Sequence, residues 1–154
     1  MIEFKQRAKA LFAQYEAHVS QKNTPEPLSN GIFERWQNPV VTREHAPVHW
    51  RYDLNPKTNP LLLERLGVNA AFNAGAMLFN GKYCVMLRVE GADRKSFFAV
   101  AESDNGVDNF RFWDEPIVMP ETDDPDTNTY DMRLVSHEDG WIYGLFCAER
   151  KDKT

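Results

Sequence analysis

The alternation of apolar and polar residues divides the chain into three stretches. In residues 2–21, Phe4, Ala8, Leu11, Phe12, Tyr15 and Val19 recur at helical spacing, while Lys5, Arg7, Gln14 and Glu16 fall largely on the other side. This predicts an amphipathic helix packed on a partner surface, of the same chain or of another subunit. Residues 22–68 lose that periodicity. Pro25, Pro27, Pro39, Pro47, Pro56 and Pro60 interrupt any long element. Phe33, Trp36, Trp50 and Tyr52 supply apolar anchors, so an ordered wrapping segment is expected rather than a disordered linker, with a short helical turn over 61–66.

From residue 69 the period becomes two. Strands are predicted over 69–79, 82–90, 96–103 and 110–113, with Tyr83, Val85, Leu87 and Val89 on one face. Asn80-Gly81 is a hairpin signal, because both central positions of a type I′ turn need positive φ. Asp104-Asn105-Gly106 makes a further turn. A second unit follows, with strands over 131–137 and 141–150 joined by Asp139-Gly140. Four antiparallel strands match one propeller blade, so the chain holds about one and a half blades, too few to close a propeller. A small self-contained antiparallel sheet is the competing reading.

The 154 residues suit a single domain. A net charge of −5 argues against nucleic acid as a partner, since phosphate contacts need a basic surface. No apolar run approaches the ~20 residues that span a bilayer, and residues 1–6 lack the order of a signal peptide. Cys84 and Cys147 each lie in an apolar strand-like run and read as reduced core thiols. Together these features predict a cytoplasmic protein with no membrane partner.

Charge inside strand-like runs marks the candidate chemistry. Arg88 interrupts the run 85–90, and Arg94, Glu102, Asp104, Asp131, Arg133, Glu149 and Arg150 gather at strand ends. Such a set either lines a polar cleft or guards exposed strand edges. Asp124, Asp126 and Asn128 alternate like a calcium loop, but the glycine and the closing glutamate are missing, so a solvated acidic loop is expected. His18, His45, His49 and His137 show no metal spacing, because Pro47 separates the one close pair. Ser103-Asp104 and Ser136-His137 are neighbours whose side chains point to opposite faces of a strand, which argues against nucleophile–base pairs.

Longer segments are more specific. Phe72-Asn73-Ala74-Gly75-Ala76, residues 87–103 from Leu87 to Ser103, Tyr130-Asp131-Met132-Arg133 and Phe146-Cys147-Ala148-Glu149-Arg150 resemble glycoside hydrolase family 130 and its β-mannoside phosphorylases. Residues 50–56 of the proline-rich segment share the likeness, which runs from the first helix to Arg150. The resemblance implies an all-β, five-bladed β-propeller with an N-terminal α-helix, present here in part. Residues 1–68 would be the helix and wrapping segment, and residues 69–154 the first blade and the start of the second. It also implies inverting phosphorolysis of a β-mannosyl-glucose disaccharide to α-mannose 1-phosphate and glucose. Asp131 would be the general acid. Asn73, Arg88, Arg94 and Asp104 would contact the mannosyl unit, and Arg150 would hold phosphate. Inorganic phosphate is the co-substrate, with no metal or other cofactor. The residues completing both subsites would lie beyond Thr154, so the chain alone is expected to be an incomplete enzyme. The alternatives are a β-mannoside hydrolase of the same fold, or a non-catalytic carbohydrate-binding or interaction module that self-associates through its helix or an open sheet edge.

Overall fold

The structure is a computed structural model and describes residues 2–27, 30–121, 123 and 126–150. Helix α1 spans Ile2–Val19. Its apolar stripe is only partly covered: Val19 is buried, whereas Phe12 remains exposed. The wrapping segment carries one 3₁₀ turn, Arg43–His45, and one turn of helix, α2, at Val48–Arg51. The helical turn expected over 61–66 is absent. Leu62 instead closes a turn onto the Asn59 carbonyl with φ 52°, and Glu64 pairs with Tyr52 in an isolated bridge. Asn59 is the cause. Its buried side chain accepts from the Leu63 N–H at 2.9 Å and donates to the carbonyls of Asp53 and Leu63, so side-chain bonds replace the helical ones.

Six strands follow: β1 (Val68–Phe79), β2 (Lys82–Gly91), β3 (Ser96–Ser103), β4 (Arg111–Phe112), β5 (Asp126–Ser136) and β6 (Ile142–Arg150). The first four form one antiparallel sheet in chain order, and the last two form a second. The described residues are thus mostly β, with two antiparallel sheets, one N-terminal helix and no closed barrel. Asn80 and Gly81 have φ 49° and 78°, as the hairpin signal requires. β5 begins earlier than expected, because its polar, threonine-containing start is extended rather than looped. Of the calcium-like stretch, Asp124 lies outside the described residues.

The pleat of β2 gives each of its faces a different task. Val85, Leu87 and Val89 enter the main core with Val68, Ala99, Ala101, Phe110 and Phe112. The wrapping segment roofs that core with Val41, Ala46 and Trp50. The Trp50 ring lies 5.7 Å from Phe97 and 5.6 Å from Phe112, and its indole N–H donates to the Asp114 carbonyl at 2.9 Å. The opposite face of the sheet meets β5 and β6, with the Phe98 ring 5.4 Å from Phe146. Cys84 is buried and Cys147 exposed, so the core-thiol reading holds only for Cys84.

Gly75 lies directly against the β5 backbone. A Cβ there would lie 2.6 Å from the Met132 carbonyl oxygen and 3.1 Å from two further β5 backbone atoms. Backbone cannot swing aside as a flexible side chain can. Gly75→Ala is therefore expected to lower the free energy of unfolding by about 1–3 kcal/mol, the usual cost of overpacking. An unchanged urea midpoint would show that the sheets are free to separate there.

Helix α1 is fastened at its C-terminal end. His18 Nε2 lies 3.2 Å from His45 Nδ1, and the same Nδ1 accepts the Thr42 backbone N–H at 3.1 Å. Arg111 of β4 adds hydrogen bonds to Glu16. Burial, then the neighbouring His18, lowers the His45 pKa from 6.5 to about 4. Above pH 6.5 the ring is neutral both folded and unfolded. As pH falls from 6.5 to about 4, the unfolded chain takes up a proton that the folded chain refuses, so stability declines across that window, by at most ~3 kcal/mol. His45→Asn keeps an acceptor for Thr42 but does not titrate. Its unfolding midpoint should change less with pH over that range, and an unaltered slope would assign the effect elsewhere.

Candidate functional site

Two strands from different sheets break their ladders at facing positions. β1 has a register shift between Phe72 and Gly75, and β5 has one between Tyr130 and Arg133. At each bulge one non-glycine residue takes up the left-handed region: Asn73 with φ 48° and Asp131 with φ 62°. Asparagine and aspartate tolerate that region best after glycine, because their short polar side chains bond locally. The bulges turn the two side chains toward each other, and Asn73 Nδ2 donates to Asp131 Oδ1 at 2.9 Å. The Asn73 carbonyl in turn accepts from Arg133 Nη1 at 3.4 Å.

Arg88 of β2 lies beside this pair. Its Nη1 is 3.7 Å from Asp131 Oδ1, its Nη2 is 3.6 Å from Glu90 Oε2, and its Nε donates to Ser96 Oγ at 2.8 Å. The guanidinium carbon lies 4.7 Å from the Phe72 ring centroid and 4.9 Å from that of Tyr130. Glu90 also accepts from Asn69 at 2.6 Å and from Arg94 at 3.0 Å. These bonds, that of Asn69 foremost and the two arginines after it, hold the Glu90 carboxyl below its ordinary pKa. The Ser96 backbone N–H donates to Asn128 Oδ1 at 2.8 Å, a further bond from the first sheet to β5.

The structure thus brings Asn73, Arg88 and Asp131 to one point, with Arg94 joined to them through Glu90. Arg94 is the open member: its side chain is 77% exposed, against 18% for Arg88. Asp104 is not brought there. It follows Ser103, which pairs with Tyr83, whereas Arg88 pairs with Phe98. Five residues of strand separate the two, roughly 16 Å at strand rise. Its charged neighbour is Lys82, at 3.9 Å. The sequence places Asp104 in a turn without showing which end of the sheet that turn caps. Arg150 sits opposite Asp126, three residues beyond Cys147, the partner of Tyr130, so roughly 10 Å of strand lies between it and the bulge.

The sequence reading missed Phe72, Tyr130, Glu90, Ser96 and Asn128. One signal was available. Phe72-Asn73 and Tyr130-Asp131 repeat the same order, an aromatic residue followed by a polar residue suited to positive φ.

The site therefore sets a carboxyl, an amide and a guanidinium beside two aromatic rings, a combination suited to a polar ligand. Among the described residues no group of three or more His, Cys, Asp or Glu is placed to hold a metal ion. No family model matches the chain. Direct comparison does find a relative. Over 149 residues, 97% of this chain, the sequence is 59% identical to the 4-O-β-D-mannosyl-D-glucose phosphorylase of Bacteroides fragilis. The match covers 38% of that protein, so the chain spans well under half the length of the curated relative it matches.

The backbone at the bulge sets its own test. Asn73→Val places a β-branched residue at φ 48° and removes the bond to Asp131, whereas Asn73→Gly removes only the bond. The valine variant should be about 1–3 kcal/mol less stable than the glycine variant in chemical denaturation. Equal stability would mean that the bulge relaxes.

Proposed function

We propose that this chain forms the acid-bearing part of a β-mannoside phosphorylase, built as the first blade and the start of the second blade of a β-propeller. The observation that carries the reading is the paired bulge, which presents Asp131 to Asn73 across two sheets, in a chain 59% identical to a phosphorylase of mannosyl-glucose. An inverting hydrolase needs a second carboxyl to activate water. The other carboxylate joined to this cluster, Glu90, is held by Asn69, Arg94 and Arg88 with its pKa lowered, which makes it a poor base. Phosphate needs no such base, because it arrives as an anion.

In the proposed reaction Asp131 gives its proton to the glycosidic oxygen, relayed through the 3-hydroxyl of the mannosyl unit. The bond from that oxygen to the anomeric carbon breaks, and a phosphate oxygen bonds to the same carbon from the opposite face. The products are α-mannose 1-phosphate and glucose. Asn73 and Arg94 contact the mannosyl unit. Arg150 orients phosphate, for which a planar guanidinium offers two parallel donors. The sheets alone do not form the whole site, and the acceptor-sugar contacts and further phosphate cations would come from chain corresponding to the rest of the relative.

Aspartate and asparagine both accept positive φ, so Asp131→Asn preserves the bulge while removing the acid. In a polypeptide that holds the complete site, that variant should lose about 10²–10⁴-fold in phosphorolysis with an unchanged melting temperature. Glucose release from mannosyl-glucose should require added phosphate. Turnover near normal in the variant would refute the acid assignment, and phosphate-independent release would make the protein a hydrolase.

A further inference from the structure

We propose that Glu90 is a positioning residue: fixed by Asn69 at a further bulge of β1, its carboxylate sets where the Arg94 guanidinium stands at the site. What this means for catalysis rests on the function proposed above, whereas the contact itself does not.

Strand β1 has a register shift ahead of the one at Asn73. Val68 pairs with Gly91 and Ala70 with Glu90, so Asn69 is the extra residue between them. Its amide donates to Glu90 Oε1 at 2.6 Å, much as the Asn73 amide donates to Asp131 at 2.9 Å. Each bulge of β1 thus aims an asparagine at a carboxylate. Glu90 pairs with Ala70 on one side and Ser96 on the other, and its side chain is only 12% exposed. Both ends of the Asn69–Glu90 bond are therefore anchored in backbone ladders.

Arg94 is the partner that has to be placed. It lies in the turn between β2 and β3, where the Gly91 N–H donates to the Lys95 carbonyl and the Arg94 N–H to the Gly91 carbonyl. Its φ is 67°, in the region that favours glycine, and its side chain is 77% exposed. So long and open a side chain samples many rotamers unless a fixed partner selects one. Arg94 Nη1 lies 3.0 Å from Glu90 Oε1, within hydrogen-bond reach, whereas Arg88 Nη2 stays 3.6 Å from Oε2. The grip of Glu90 is therefore on Arg94, with Arg88 a neighbouring cation. An ion pair with so exposed a partner adds little to stability. Its effect is to orient the cation that the proposed reaction directs at the mannosyl unit.

The test needs two kinds of readout. In this chain the Arg94 guanidinium should rotate slowly, as read from its nitrogen resonances. Glu90→Met, which keeps the length of the side chain without its oxygens, should abolish that hindrance, and Asn69→Ala should lessen it. Asn69→Ala should also move the titration of the Glu90 carboxyl to higher pH, because the bond that lowers its pKa most is gone. If Glu90→Met fails to fold, Asn69→Ala, which keeps both charges, carries the same comparison.

In a polypeptide that holds the complete site, Glu90→Met should raise KM for mannosyl-glucose by about tenfold with kcat little changed. Arg94→Met should raise it at least as far. The double variant should match Arg94→Met alone, because Glu90 acts through Arg94. The proposal is overturned if the double variant has a clearly higher KM than Arg94→Met, or if the Arg94 rotation and the Glu90 titration stay in place in Asn69→Ala. Absence of phosphorolysis in the unsubstituted enzyme would instead sink the functional reading, and the resonance data would still decide what Glu90 holds.

Discussion

The hydrogen bond from the Asn73 amide to the Asp131 carboxyl joins the bulges of two sheets that share no backbone ladder. Both residues sit at positive φ in bulged strands, an arrangement that costs free energy in each strand and persists only where the surroundings enforce it. The surroundings here are specific. Gly75 lets β1 approach the β5 backbone, Arg88 fills the space behind the pair, and Arg133 caps the carbonyl of the first bulge. Strain placed at facing positions on two strands, with complementary side chains, marks the point where the fold gives up regularity for a polar contact between sheets.

The remainder of the molecule keeps that point in place. The first sheet cannot bury both faces on β5 and β6, so its far face needs the wrapping segment, pinned by Trp50 to Asp114 and by Arg43 to the Val68 carbonyl of β1 at 2.7 Å. The helix adds little buried apolar area, and its attachment depends on the His18–His45 contact and on Arg111. The attachments are therefore graded: sheets closed by backbone ladders, a roof stitched on by a few polar bonds, and a helix held by side-chain bonds from Arg7, Tyr15, Glu16 and His18.

Much of this organisation was legible in the residues, because the relevant forces are local. Helical spacing located α1, and period two with Asn80-Gly81 located β1 and β2, since a hairpin turn is decided by the two residues that adopt positive φ. The turn near Leu62 was misread because its geometry comes from the Asn59 side chain, and a stretch containing four leucines resembles a helix when that side chain is ignored. The start of β5 was hidden by its polar composition. At the site, Asp131, Asn73, Arg88 and Arg94 were reached through motif resemblance and do lie together or one contact apart. Asp104 was assigned by the same route but sits at the other end of the sheet, because adjacency in a motif does not state which strand end a turn caps. Phe72 and Tyr130 entered the sequence reading only as motif members with no role of their own, since an aromatic residue in a strand ordinarily means core.

The absent side chain of Gly75 also has a geometric consequence. No ladder joins the two sheets, so their spacing is set by the atoms wedged in the seam, and Gly75 is the thinnest wedge available. That residue acts as a gauge block: by fixing how deeply one strand nests into the next, it sets the distance over which a carboxyl and an amide borne on separate layers can still touch. Widening the gauge by one methyl would alter the reach of the Asp131 carboxyl without touching Asn73 or Asp131 themselves.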